Sequence, residues 1–121
     1  MQEVEGKIQK IEGLKMSEIK DFQDLIIWQK GMDIADKCYY LTKSFPKEEL
    51  YSMVQQIRKS SASIPANIAE GYGRRSSGDY ARFLNIAQGS INELKTHLLL
   101  SQRVGLCEDK DIESIIYLLQ E

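Results

Sequence analysis

The chain has 121 residues, 42% of them hydrophobic, enough for one domain with a modest core. Its 16 Lys and Arg stand against 18 Asp and Glu, and the formal charge of -2 does not mark the whole molecule as a nucleic-acid binder. Two distant cysteines and a single histidine exclude a disulfide framework and a histidine-based metal cluster, and no apolar run reaches membrane-spanning length.

Residues 1–20 read as an N-terminal arm and residues 21–121 as a single helical domain. In the arm, Val4, Ile8, Ile11 and Leu14 have helical spacing, but Gly6 and Gly13 weaken a segment too short to be stable alone. Two readings stand: a frayed arm, or a helix that docks on a neighbouring subunit. Met16 is a second candidate start. The opening residues Met1 to Glu5 lack a basic region followed by an apolar one, so a cytoplasmic protein is expected, with reduced thiols at Cys38 and Cys107.

Asp21 and Asp24 place acids at the opening of a first helix, where the helix dipole favours them. Leu25, Trp28, Met32, Ala35 and Tyr39 form one apolar stripe, and Ile27, Ile34, Cys38 and Leu41 a second beside it. An arc that wide belongs to a helix with more than one neighbour. Lys43-Ser44-Phe45-Pro46 ends it, because residues before proline avoid the helical region. Pro46 then suits the first turn of a second helix, with Glu48 and Glu49 at its positive end and Leu50, Met53, Val54 and Ile57 on its apolar side.

That helix leads into Ser63-Ile64-Pro65-Ala66-Asn67-Ile68-Ala69-Glu70-Gly71. Ile57, Ser61, Ile64 and Ile68 recur at helical steps, so the stripe passes straight through Pro65. A proline inside a plain helix costs roughly 3 kcal/mol, and a kink is expected there. Ser60, Ser61 and Ser63 offer hydroxyls to the disturbed backbone. Ala66, Ala69 and Gly71 keep the segment thin, while Asn67 and Glu70 should be partly buried and hydrogen-bonded. The segment is a specified packing element.

Gly71, Gly73 and Gly78 bracket a turn containing Arg74 and Arg75. Ser76 with Asp79 resembles a capping box for a third helix, whose stripe Tyr80, Phe83, Leu84, Ala87, Ile91, Leu94, Leu98 and Ser101 spans about 40 Å. Gly89-Ser90 is a thin spot that could face Ala66 to Gly71. Gly105 stops the helix in the left-handed conformation, and Ile112, Ile115, Ile116 and Leu119 mark a short last helix. The expected fold is all-α: an antiparallel up-and-down four-helix bundle with a proline-kinked second helix.

Catalytic chemistry finds little purchase in this sequence. His97, with Glu93 one turn before it, reads as a structural histidine, and Glu70 with Arg74 as an ion pair. Gly71-Tyr72-Gly73 follows a helix instead of a strand and lacks the lysine of a phosphate loop. No enzyme, cofactor or metal is expected. Between Tyr51 and Val104 the bases Arg58, Lys59, Arg74, Arg75, Arg82, Lys95 and Arg103 outnumber the acids Glu70, Asp79 and Glu93. Arg74, Arg75 and Arg82 should meet at one end, with Arg58 and Lys59 several turns away. They form either a solvated rim that makes intersubunit ion pairs or a phosphate contact, with Tyr72 and Tyr80 near enough to stack on bases.

The motifs Asp24-Leu25 with Trp28-Gln29-Lys30, Phe45-Pro46-Lys47-Glu48-Glu49, Gln56-Ile57-Arg58, Ser63 to Gly71, Arg82-Phe83-Leu84, Gly89-Ser90 and Glu93-Leu94 occur in order. They resemble the bacterial four-helix bundle proteins encoded in intervening sequences of 23S rRNA genes, over roughly residues 22 to 119. The resemblance implies an antiparallel four-helix bundle assembled as a ring-like homopentamer. It also implies kinship with the accessory protein of diversity-generating retroelements, a basic pentamer that binds nucleic acid and a reverse transcriptase. Structured RNA or a ribosome-associated partner is the expectation that follows, with a protein-protein scaffold as the alternative. This chain departs from the pattern in its acidic total, its short last helix and its N-terminal arm.

Overall fold

The computed structural model describes residues 19–120. The expected N-terminal arm lies outside them, except for Ile19 and Lys20. The described residues form four α-helices and two short 3-10 turns, with no strand among them. The helices are α1 (Ile26–Thr42), α2 (Met53–Tyr72), α3 (Ser77–Arg103) and α4 (Asp109–Leu119).

The acids expected to open the first helix cap a 3-10 turn at Phe22–Asp24 instead. The Asp24 carboxylate accepts from the backbone N–H groups of Lys20 at 3.0 Å and Asp21 at 3.1 Å. Leu25 then leaves the turn in extended conformation and is fully buried, and α1 begins after it. The two α1 stripes diverge toward the C-terminal half of the helix. Ile34, Cys38 and Leu41 are buried, whereas Met32 and Tyr39 stand about two-fifths exposed, at 40% and 44%.

The second helix starts later than its sequence pattern indicates. Pro46 introduces a 3-10 turn at Lys47–Glu49, and α2 begins only at Met53. Leu50 falls between the two and is exposed, so it is no part of the apolar stripe. From there α2 runs unbroken to Tyr72 with Pro65 inside it. Its buried side is Val54, Ile57, Ser60, Ser61, Ile64, Pro65, Ile68 and Gly71. The serine hydroxyls bond one turn upstream: Ser60 donates to the Gln56 carbonyl at 2.8 Å and Ser61 to the Arg58 carbonyl at 3.1 Å.

The Ser76 hydroxyl accepts from the Asp79 N–H at 3.1 Å, which starts α3 as its sequence predicts. Gly105 ends it with φ 84, and the Leu106 N–H reaches back to the Ser101 carbonyl at 2.9 Å. Glu108 and Asp111 form a capping box for α4, whose Ile112 and Ile115 are buried.

Neighbouring helices pair in a regular progression. Gly31 meets Pro65, Cys38 meets Ser61, and Thr42 meets Arg58, so residue numbers rise along α1 as they fall along α2. Likewise Ser63 meets Ser90 and Gly71 meets Tyr80 and Phe83 between α2 and α3. That is the progression expected of antiparallel neighbours. The shared core is centred on Leu25, Ile57, Ile64, Leu94, Leu98 and Ile115.

The thin spots are offset from where sequence places them. Ser90 faces Ser63, and Gly89 opens to solvent with no atom within 4 Å of a Cβ built on it. Gly71 packs under α3, where a Cβ would lie 2.8 Å from the Phe83 Cβ and 3.1 Å from the Tyr80 carbonyl oxygen. Gly71→Ala should therefore destabilise by about 1–3 kcal/mol through overpacking. Gly89→Ala should stabilise by up to about 1 kcal/mol, because only helix propensity changes. Urea unfolding of the two variants checks this, and equal midpoints would sink the packing argument.

Burial pushes the Cys38 thiol from its ordinary 9.0 up to about 12, against a smaller opposing effect from its hydrogen bond with Ser61. The folded chain therefore keeps the neutral thiol while the unfolded chain ionises. Stability from this group is intact below about 9 and declines as pH rises toward 12. At about pH 8 a thiol reagent should reach the half-buried Cys107 in the native chain and Cys38 only on unfolding. Equal native labelling rates would contradict the burial of Cys38.

Candidate nucleic-acid interface at the α2–α3 corner

Four residues join α2 to α3, and two of them are Arg74 and Arg75. The backbone here is already engaged: Gly73 N–H donates to the Ala69 carbonyl at 3.3 Å and Arg74 N–H to the Gly71 carbonyl at 3.0 Å. Gly71 is buried under α3. Gly71 and Gly73 therefore shape the corner and do not offer it free amides.

The side chains of Arg74 and Arg82 converge on Phe83, a half-buried ring nearly two turns into α3. The guanidinium carbons of Arg74 and Arg82 each lie 4.7 Å from its centroid. Arg74 also pairs with Glu70 one turn back, and Arg82 lies 3.9 Å from the Asp79 carboxylate. Arg75 is exposed and makes no such contact among the described residues. Thus Arg74 and Arg82 meet over one ring, while Arg75 adjoins them only through the chain.

Arg58 and Lys59 do not join them. Arg58 lies on the α1 side of α2, 4.7 Å over the Tyr39 ring, and its Nε donates to Thr42 Oγ1 at 2.9 Å. From residue 58 to residue 74 is about 24 Å of helix. Lys59 is exposed on the same turn as Arg58. Tyr72 and Tyr80 are not available to bases either. Their rings meet edge to face at 6.3 Å, Tyr80 is buried, and the Tyr72 hydroxyl donates to the Ile19 carbonyl at 3.4 Å. The aromatic at the surface of the corner is Phe83, which sequence spacing assigned to the core stripe.

Asn67 and Glu70, expected to be alike, separate. Asn67 is partly buried, and its amide donates to the Ser63 carbonyl at 2.8 Å and the Ser63 hydroxyl at 2.9 Å. Ser63 Oγ lies 2.8 Å from Ser90 Oγ, so this chain of polar groups ties α2 to α3. Glu70 is exposed, because its side chain turns along the helix toward Arg74. Ile64 and Ile68 are buried as expected.

A second surface went unread in the sequence. Trp28, Met32 and Tyr39 of α1 face Ala62, Ala66 and Ala69 of α2 across an apolar groove. It exists because Gly31 lets Pro65 approach α1: a Cβ on Gly31 would sit 3.3 Å from the Pro65 Cβ. The pairing of these two residues, not either stripe alone, was the missing signal. His97 stays apart from both surfaces, with Nε2 buried 3.5 Å from the Glu93 carboxylate and no hydrogen bond among the described residues. No group of three or more metal-ligating side chains occurs among the described residues.

Asn67→Leu should cost about 1–3 kcal/mol by leaving partly buried hydroxyls without their donor. Glu70→Leu should cost no more than about 1 kcal/mol, the usual range of an exposed ion pair. Thermal melts of both variants decide it; a larger loss for Glu70→Leu would reverse the assignment.

The chain belongs to the 23S rRNA-intervening sequence protein family, whose model matches residues 23–121. No curated protein matches the chain.

Proposed function

We propose that this member of the 23S rRNA-intervening sequence protein family is a non-enzymatic bundle that assembles with copies of itself, as a homopentamer. In this reading it works in the cytoplasm and holds structured or ribosomal RNA at the α2–α3 corner. The observation that carries the reading is the convergence of Arg74 and Arg82 on one exposed-edge aromatic, with Arg75 beside them. Their carboxylate partners do not block it. Exposed ion pairs are worth about 0–1 kcal/mol, so a phosphate displaces Glu70 or Asp79 at small cost. Apolar side chains left at the surface support self-association: Ile86 and Leu100 fall on one side of α3 at helical spacing, with Val104 just past its end. Repeating the corner in every copy would let weak phosphate contacts add. No described helix is long and apolar enough to cross a membrane.

The second reading is a protein-protein scaffold without nucleic acid. It is favoured by the same two carboxylates, which neutralise two of the three arginines, and by the overall charge of -2.

Affinity for a structured 23S rRNA fragment should fall steeply with salt and discriminate little between sequences. Changing Arg74, Arg75 and Arg82 together to Gln should reduce the log–log salt slope by about 2–3, one phosphate for each arginine. Wild-type affinity in the triple variant would move the contact elsewhere, and no binding at low salt would leave the scaffold. Mass in solution tests assembly separately. Five copies of the 13.9 kDa chain are expected, and a monomer at micromolar concentration would remove the ring.

A further inference from the structure

The groove between α1 and α2 is apolar over most of its length, with small side chains on its α2 side. Ala62 and Ala66 are exposed there, as are Met32 and Tyr39 across from them. At the Tyr39 end stands Arg58, one turn before Ala62 on α2. Its Nε is fixed to Thr42 Oγ1 at 2.9 Å, and its guanidinium lies 4.7 Å over the Tyr39 ring. Unlike Arg74 and Arg82, Arg58 has no carboxylate partner among the described residues. The other charge lining the groove, Asp36, is exposed on α1. An oriented guanidinium beside apolar surface fits an apolar partner that carries one carboxylate.

One surface of this same chain has that chemistry. On α3, Ile86, Gly89, Glu93, Thr96 and Leu100 follow at steps of three and four, and all five are exposed. Glu93 is the single charge among them, and its side chain is 54% exposed with His97 3.5 Å to one side. Ile86 and Leu100 each lie seven residues from Glu93, about 10 Å along the helix. On α2, Pro65 and Ala66 lie about 10–12 Å from Arg58. A second copy that sets Glu93 against Arg58 therefore lays one of these apolar side chains on the alanine side of the groove.

We propose that the α3 ridge of one copy docks in the α1–α2 groove of the next, with Glu93 paired to Arg58. This docking presupposes the self-assembly proposed above and assigns the two surfaces that perform it. Groove and ridge are different patches, so the contact is heterologous. Each copy keeps a free groove or ridge until rotation closes a ring.

Charge reversal tests the pairing, read as mass in solution across a concentration series, with circular dichroism confirming folded bundles. Arg58→Glu and Glu93→Arg each bring like charges together and should raise the half-assembly concentration by about tenfold or more. Combining the two restores opposite charges and should return assembly close to the wild-type value, although the bond to Thr42 stays lost. Ala66→Trp fills the groove without changing charge and should abolish assembly. A wild-type chain that is monomeric at micromolar concentration overturns self-assembly and this docking together. Wild-type assembly that persists unchanged in both single reversals and in Ala66→Trp leaves self-assembly standing and overturns this interface. A double reversal that assembles no better than its singles overturns it too.

Discussion

The contact between Gly31 and Pro65 is the constraint from which the rest of this bundle follows. Pro65 removes one N–H from the interior of α2 and its ring crowds the preceding turn, a cost of roughly 3 kcal/mol in an unsupported helix. Here the ring is buried, and the partner across from it has no side chain. A Cβ at position 31 would stand 3.3 to 3.4 Å from three atoms of the proline, tighter than ordinary packing. α1 therefore lies close on α2 at this level, and Ile34 and Cys38 follow into the core below it. The proline is tolerated because tertiary packing, not helix propensity, decides the stability of a helix of this length.

Polar groups then set the register that apolar packing alone would leave loose. Ser63, Asn67 and Ser90 tie α2 to α3, while Thr42 and Arg58 tie α1 to α2. Each of these ties is partly or wholly enclosed, and an enclosed polar group without its partner is costly. Sliding α3 by one turn would break the Ser63–Ser90 contact and drive Phe83 away from Gly71. Apolar side chains of similar size can exchange places at little cost. The hydroxyl pairs cannot.

Helix number, the two ends of α3 and most of the core could be read from the sequence because they depend on local spacing. Ser76 with Asp79, Gly105 and the Ile112–Ile115 pair all behave as their patterns indicate. The misreadings share a different cause. Pro46 signals a turn start equally well for a 3-10 turn and an α-helix, and only the exposure of Leu50 separates them. Asn67 and Glu70 lie three apart and read alike, but Glu70 has Arg74 within one turn and Asn67 has Ser63. Tyr72 and Tyr80 stand on different helices, and nothing in their spacing shows that they meet each other. Gly31 was invisible for the same reason: its meaning lies in Pro65, 34 positions away.

Charge summed over the whole chain is a coarse guide to any one corner of it, and geometry explains why. The net charge of -2 sums over a molecule whose α3 alone is about 40 Å long. At physiological salt the screening length is about 8 Å, so a phosphate at the α2–α3 corner responds to groups within one or two such lengths. Glu48 and Glu49 precede α2, and Glu108, Asp109 and Asp111 open α4; all five lie toward the opposite end of the bundle. Asp24, nearer the corner's end, already accepts two backbone N–H groups. The local balance is Arg74, Arg75 and Arg82 against Glu70 and Asp79, which is positive. A chain can be acidic in total and still present a cationic corner, because ionic screening makes distant carboxylates irrelevant to it.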